Sequence, residues 1–217
     1  MENTPSSIQE IEKTKVEKVM NTVAWRAGYY RENPHRFVKD CIFPGNSKFK
    51  LTWFQSILIW CMFHNNYFMM IASRGLGKTW LLALFAHLRC ILFPGTKVIV
   101  TAGTLKQANE VLLKIQDEFL PESPFSRNEI LYCKIGQNDA TIMYKNGSWI
   151  KSRTSTENAR SARANVIIDD EFRMQDRKIV DSVIREFLKA PRRPPYLNNP
   201  LYKNLKERNV EVYATSA

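Results

Sequence analysis

Ala72 to Thr79 reads Ala-Ser-Arg-Gly-Leu-Gly-Lys-Thr and lies between an apolar run, Tyr67 to Ile71, and a stretch of helical character, Trp80 to Leu92. A strand that feeds a glycine-rich turn opening a helix aims several backbone N–H groups at one point. It adds the positive end of the helix dipole, and the combination binds phosphate. In such a loop Lys78 reaches the β- and γ-phosphates of a nucleoside triphosphate and the Thr79 hydroxyl holds Mg²⁺. Ala72 stands where the usual G-x-x-x-x-G-K-[ST] pattern has its first glycine; the position needs only a residue that tolerates close packing. A glycine-rich helix start with an incidental lysine is the bland alternative, and the flanking strand and helix weigh against it.

A second cluster could do chemistry with the first. Asn165 to Ile168 is a short continuous apolar run, of the kind buried on both faces of a sheet, and it ends in Asp169-Asp170-Glu171. Carboxylates leaving the C-terminal edge of a strand, downstream of a phosphate loop, deliver charge to the metal and to the attacking water. Asp170 is therefore assigned to Mg²⁺ through water, and Glu171 to polarising the nucleophilic water. A slide of the register by one residue makes Asp169 the metal partner instead. Three acids capping the next helix would be a sufficient account of the triplet alone, but not of the triplet paired with Lys78.

The elements that must position these groups alternate strand and helix. Ile8 to Met20 reads as a charged helix with a thin apolar stripe (Ile8, Ile11, Val16, Val19), which suggests docking onto something else. Asn33-Pro34 starts a helix over Arg36 to Ile42, with Asn33 as cap. Thr52 caps an apolar helix through about Phe63. Lys97 to Ala102 is a strand, and Thr104 begins a helix through about Phe119. Two strands with an intervening helix make a βαβ unit, hence a parallel sheet. Ala140 to Tyr144 and Ser148 to Ser152, joined at Asn146-Gly147, form a hairpin. Arg153 to Arg163 is polar and reads as a loop or short helix. Asp176 to Lys189 is helical in period, Ala190 to Pro200 is an irregular connection, and Val210 to Ala214 is a last strand.

The chain has 217 residues and a formal charge of +11, with 44% hydrophobic content. That is enough chain for a substantial core, and the basic excess favours a polyanionic partner, nucleic acid over membrane, since no basic amphipathic helix or lipidation signal accompanies it. Lys189, Arg192 and Arg193 are the most concentrated basic stretch. The four cysteines lack C-x-x-C spacing and read as free, mostly buried thiols in a reducing compartment. The three histidines form no ligand cluster, and no apolar run is long enough to span a bilayer.

Together these residues resemble the ATPase domain of the large terminase subunit, the DNA-packaging motor of tailed bacteriophages, from about Leu51 to Thr215. Leu51-Thr-Trp-Phe-Gln55 looks like that family's adenine motif, with Gln55 reading the base. Ala72 to Thr79 (Ala72, Ser73, Arg74, Gly75, Leu76, Gly77, Lys78, Thr79) looks like its deviant phosphate loop, in which Arg74 approaches the γ-phosphate. Val98 to Ala108 is similar to the second strand and helix start of such motors. Arg163 to Phe172 matches the metal-binding strand, with Asp170-Glu171 in the family's Asp-Glu position and Asp169 where an apolar residue is usual. Tyr213-Ala-Thr-Ser216 resembles the coupling motif, with Thr215 as the hydroxyl that senses hydrolysis and Ser216 beside it.

The resemblance implies an α/β P-loop NTPase of the ASCE, RecA-like class, with a mostly parallel central sheet flanked by helices. On that reading residues 1–48 are an N-terminal helical extension and residues 49–217 the motor, expected to lack the family's C-terminal nuclease domain and its DNA-cutting activity. It further implies ATP and Mg²⁺, double-stranded DNA held by its backbone without sequence reading, a portal protein, a small terminase subunit, a homo-oligomeric ring on assembly with a monomer in isolation as the alternative, and the bacterial host cytoplasm. Arg153, Arg160 and Arg163 are candidates for an arginine finger in trans. Two rivals stand beside this reading: a superfamily 2 helicase-like translocase, and a nucleotide-gated DNA-binding module with little turnover.

Overall fold

The computed structural model describes residues 5–45, 47–73, 75–136, 139–154, 163–174, 188, 191–198, 200 and 208–217. Seven strands form one sheet: β1 (Tyr67–Ala72), β2 (Lys97–Ala102), β3 (Ile130–Ile135), β4 (Ala140–Tyr144), β5 (Trp149–Thr154), β6 (Val166–Asp170) and β7 (Val210–Ser216). Their spatial order is β1-β7-β6-β2-β5-β4-β3. The first five in that order run parallel, and β4 and β3 close the far edge antiparallel. The expected mixed α/β architecture with a mostly parallel sheet is thus the observed one.

The central strands β6 and β2 carry short apolar runs that are enclosed by the rest of the fold. β6 is buried along its whole length, and β2 is buried from Val98 to Ala102. Helix α1 (Pro5–Glu32) is longer than the sequence stripe predicts and runs unbroken to Glu32. Asn33, read as a cap for the following helix, makes no side-chain cap bond there; its amide donates back to Tyr29 O at 3.0 Å. The helix it was to cap is a single turn, α2 (Pro34–Phe37), which widens into a π-helical turn over Val38–Ile42. Phe37, Val38, Ile42 and Phe43 join the same buried cluster as the central helix.

Helix α3 (Trp53–His64) begins at Thr52 in a capping box: Gln55 N–H donates to Thr52 Oγ1 at 3.2 Å, and Thr52 N–H donates to Gln55 Oε1 at 3.0 Å. Helix α4 (Lys78–Leu92) is the core of the molecule, buried almost throughout, and α5 (Leu105–Leu113) repeats the capping box at Thr104 and Gln107 before a π-helical stretch over Lys114–Phe119. The hairpin expected at Asn146-Gly147 is present, with Gly147 at φ 81°. Its second strand, β5, pairs in parallel with β2, so the hairpin belongs to the main sheet. Strand β3, with a register shift near its start, has no counterpart in the sequence reading. All four cysteines are free, but only Cys90 is buried, against the expectation of mostly buried thiols. Asp176 to Lys189 lies outside the described residues apart from Leu188.

Candidate active site

Strands β1, β7 and β6 lie side by side and parallel, so the segments leaving their C-terminal ends meet at one edge of the sheet. A crevice at that edge is where open α/β sheets bind ligands. β1 delivers the loop Ser73 to Gly77, β6 delivers Asp170 and Glu171, and β7, between them, delivers Thr215 and Ser216.

The loop turns into α4 through two glycines in the left-handed region, Gly75 at φ 88° and Gly77 at φ 75°, the latter being the helix N-cap. An L-residue with a Cβ is strained at both. The turn leaves the first N–H groups of α4 without helical partners, facing the crevice edge. Lys78 is buried, and its Nζ donates to the carbonyls of Ala72 at 3.1 Å and Ser73 at 3.3 Å. Thr79 Oγ1 donates to Asp170 Oδ2 at 3.0 Å, a contact between residues 91 apart in sequence. Arg74 lies outside the described residues.

Asp169 and Asp170 are both within β6, so alternation sends their side chains to opposite faces of the sheet. Asp170 is the one that meets Thr79. Asp169 is fully buried, level with Thr101 on β2 and Tyr213 on β7. Asp170 Oδ1 is buried and has no hydrogen-bond partner among the described residues. Burial pushes the Asp170 carboxyl above its ordinary range, and the Glu171 charge adds to that; the Thr79 hydroxyl and the Lys78 ammonium act in the opposite sense.

Glu171 follows the strand at φ 61°, a left-handed conformation that side chains other than glycine rarely adopt. That turn carries its carboxylate to β7. Ser216 N–H and Thr215 Oγ1 donate to Oε2 at 2.9 and 3.1 Å, and Ser216 Oγ donates to Oε1 at 2.5 Å. Burial alone would raise the Glu171 carboxyl; the Ser216 and Thr215 hydrogen bonds and nearby Lys78 outweigh it and hold the group below its ordinary range. Ser216, named in the sequence only as the neighbour of Thr215, makes two of these three bonds. The Ala72–Ser216 register explains why: the last residue of β7 sits beside the start of the loop.

Gln55 reaches the same region. Its Nε2 stands 3.8 Å from where a Cβ on Gly77 would be, while its Oε1 is committed to the Thr52 cap. Arg153 is on β5, bound to Asp139 at 3.2 Å and to Ser152 O at 3.0 Å. Arg163 is exposed just before β6, and Arg160 lies outside the described residues.

The sheet order and the loop between β1 and α4 define a P-loop α/β domain of the ASCE type. A family model described as terminase large subunit, T4likevirus-type, N-terminal, matches residues 69–196, and the chain belongs to that family. Among solved structures, the Thermus phage P74-26 large terminase ATPase domain matches with a TM-score of 0.52 at 13% identity, over 77% of this chain and 65% of that one. The chain thus spans just under two thirds of the ATPase domain it resembles. A large terminase from a thermophilic bacteriophage matches at a TM-score of 0.45 and 10% identity, over 69% of this chain and 34% of that one. The N-terminal domain of the DNA packaging ATPase from bacteriophage phi29 matches at 0.36 and 15% identity, over 69% of this chain and 72% of that one. No curated protein matches the chain.

Proposed function

We propose that this chain is the ATPase motor of a phage large terminase, hydrolysing ATP to drive double-stranded DNA into a procapsid. The observation that carries the reading is the Thr79–Asp170 hydrogen bond, which joins the phosphate loop to the acidic strand with Glu171 next to it. The orphaned buried Oδ1 of Asp170 and the Thr79 hydroxyl suit a hydrated divalent cation, since both are hard oxygen donors. Mg²⁺ held there would neutralise charge on the β- and γ-phosphates.

The chain's own groups divide the remaining work. The N-terminus of α4 and the loop N–H groups hold phosphate oxygens, and Lys78 exchanges two carbonyl partners for them. Gln55, next to Gly77, fits a contact with the base. Glu171 polarises the attacking water, for which it must leave at least one hydrogen bond from β7. Thr215 and Ser216 therefore feel any movement of Glu171 and relay it along β7. Arg74 in cis, and Arg153, Arg160 or Arg163 in trans, are the candidates for further charge neutralisation. The packaging role brings DNA-backbone contacts, a portal, a small terminase subunit and further copies of the chain, in the host cytoplasm.

Replacement Glu171→Gln tests the reading. Bound ATP is retained while turnover falls by about 10²- to 10⁴-fold, the range for loss of a positioned general base. The grip of β7 on Glu171 favours one second reading, a nucleotide-gated DNA-binding module with little turnover. For that module the same replacement leaves an already negligible rate unchanged.

A further inference from the structure

Helix α1 carries an apolar stripe that outruns the body it packs on. Val19, Met20, Val23, Ala27 and Tyr30 share one face of the helix. At its C-terminal end the helix is engaged within the chain. The Tyr30 ring lies 5.1 Å from that of Phe37, Arg31 Nε donates to Leu92 O at 2.8 Å, and Glu32 meets His64 at 3.2 Å. Further upstream, Val19, Met20 and Val23 are 57–62% exposed. Helices in water owe most of their stability to packing of such a face.

Helix α3 presents a bare apolar surface that would suit it. Trp53, Ile57 and Trp60 follow one another at i, i+4 and i+7, with Phe54 beside them, and the four are 40–77% exposed. The two surfaces cannot meet within one molecule. α1 is a single unbroken helix, about 42 Å long at 1.5 Å per residue, and its anchored end is at Arg31 and Glu32. Folding its free half back onto α3 would require breaking it.

We propose that the free stripe of α1 docks on the Trp53, Ile57 and Trp60 face of a second copy of this chain. Every copy carries both the donor stripe and the acceptor face, and the stripe continues the face that already packs in cis through Tyr30. A contact between two different patches of one chain is heterologous, so it repeats from copy to copy. Large aromatic side chains bury ~150–250 Å² each. The exposed parts of two Trp, one Phe and an Ile against the α1 stripe therefore bury on the order of 1,000 Å² in total, near the lower bound for a specific interface. Association should depend on concentration. The inference rests on these surfaces and not on the nucleotide chemistry.

Sedimentation velocity over a dilution series of the full chain tests it, with Val23→Glu on the donor and Ile57→Glu on the acceptor. Both side chains are exposed, so the fold is retained; Met20→Glu and Trp53→Glu serve if either variant fails to match the parent by circular dichroism. The parent should associate, and each variant alone should sediment as a monomer. An equimolar mixture should form a 1:1 complex and nothing larger, because the intact α1 of the Ile57→Glu chain meets the intact α3 of the Val23→Glu chain. A parent that stays monomeric, single variants that associate like the parent, or a mixture that stays monomeric would each overturn the proposal.

Discussion

Thr79 Oγ1 and Asp170 Oδ2 are 3.0 Å apart although 91 residues separate them in the chain. The bond needs α4 to start at the edge where β6 ends, so it reports the whole β1-β7-β6 arrangement. It also uses one oxygen of a carboxylate whose other oxygen is buried and unsatisfied among the described residues. Burial raises the Asp170 carboxyl, which means that the charged form is held at a cost.

Replacing Asp170 with Asn removes that cost and keeps an acceptor for Thr79. The folded-state carboxyl binds its proton more tightly than the unfolded one, so the ionised form lowers stability near pH 7. The variant should therefore melt higher than the parent at pH 7, and the gap should close as pH falls. Turnover should drop by at least about 10²-fold through loss of charge stabilisation by the metal, and added Mg²⁺ should no longer tighten nucleotide binding. Calorimetry in parallel with a phosphate-release assay checks both halves. A variant less stable than the parent, with Mg²⁺-dependent binding intact, would assign Asp170 to structure alone.

Gln55 has two tasks that can be separated. Its Oε1 closes the capping box on Thr52, and its Nε2 points to the Gly77 side of the loop. Gln55→Glu keeps the acceptor, with a charge that suits a helix N-terminus, but deletes the amide donor. Tm should hold within about 2 °C while ATP affinity weakens by about fivefold, the value of one hydrogen bond near 1 kcal/mol. Thr52→Ala should do the reverse, costing about 1 kcal/mol of stability, or roughly 2–4 °C in a chain of this size. Equal effects of the two replacements on affinity would mean that Gln55 acts only through the cap.

These two residues also mark how far the sequence could be read. Local signals carried the helix starts at Thr52 and Thr104, the Asn146-Gly147 turn and the glycines of the loop, because each depends on a few neighbouring residues; the reciprocal bonds of Gln55 and Gln107 that complete the two capping boxes came only with the structure. Pairings between distant segments had no such signal. Nothing in Trp149 to Thr154 says that it pairs with β2, and Ile130 to Ile135, exposed along one face, lacks the apolar continuity that marks β6. Widening into π-helical turns at Val38–Ile42 and Lys114–Phe119 leaves no mark in side-chain periodicity. The grip of Ser216 on Glu171 was illegible for the same reason: it follows from β7 lying between β1 and β6, which no spacing encodes. Asp169 and Asp170 show the limit most clearly, since their roles part only when the strand continues through both and sends them to opposite faces.

His87 should contribute to the acid limit of the fold. It is fully buried on α4, with Nδ1 2.7 Å from Tyr144 Oη and Nε2 2.8 Å from Ser126 Oγ, and burial lowers it to about 3. The unfolded chain binds this proton near pH 6.5 and the folded chain only near 3, so stability is full above 6.5 and is lost as pH falls between the two. The slope from this one group is at most ~1.4 kcal/mol per pH unit, and Asp170 acts in the opposite direction. His87→Gln, which keeps a donor and an acceptor, should flatten urea-derived stability between pH 6.5 and 4.5. An unchanged slope would mean that another group controls the acid limb.

Arg192 and Arg193 are adjacent in the basic stretch that the sequence offers for DNA, but the structure separates them. Arg192 is buried: it donates to Pro94 O at 2.9 Å, and its guanidinium lies 5.3 Å from the centroid of the Phe93 ring, which Arg31 and Arg89 also approach, at 4.9 and 3.8 Å. Phe93 ends α4 at the pole of the sheet opposite the phosphate loop, so Arg192 holds that pole together. Arg193 is exposed. Arg192→Ala should cost about 1–3 kcal/mol through a lost buried hydrogen bond and lost stacking and leave the salt dependence of DNA binding unchanged. Arg193→Ala should leave Tm unchanged, weaken DNA binding whatever the sequence, and reduce the slope of log K against log[salt] by about one if that side chain meets a phosphate. Fluorescence anisotropy over a salt series, with melting curves on the same samples, separates the two. A fall in slope for Arg192→Ala without loss of stability would return that residue to the DNA surface and leave the Phe93 cluster without a structural role.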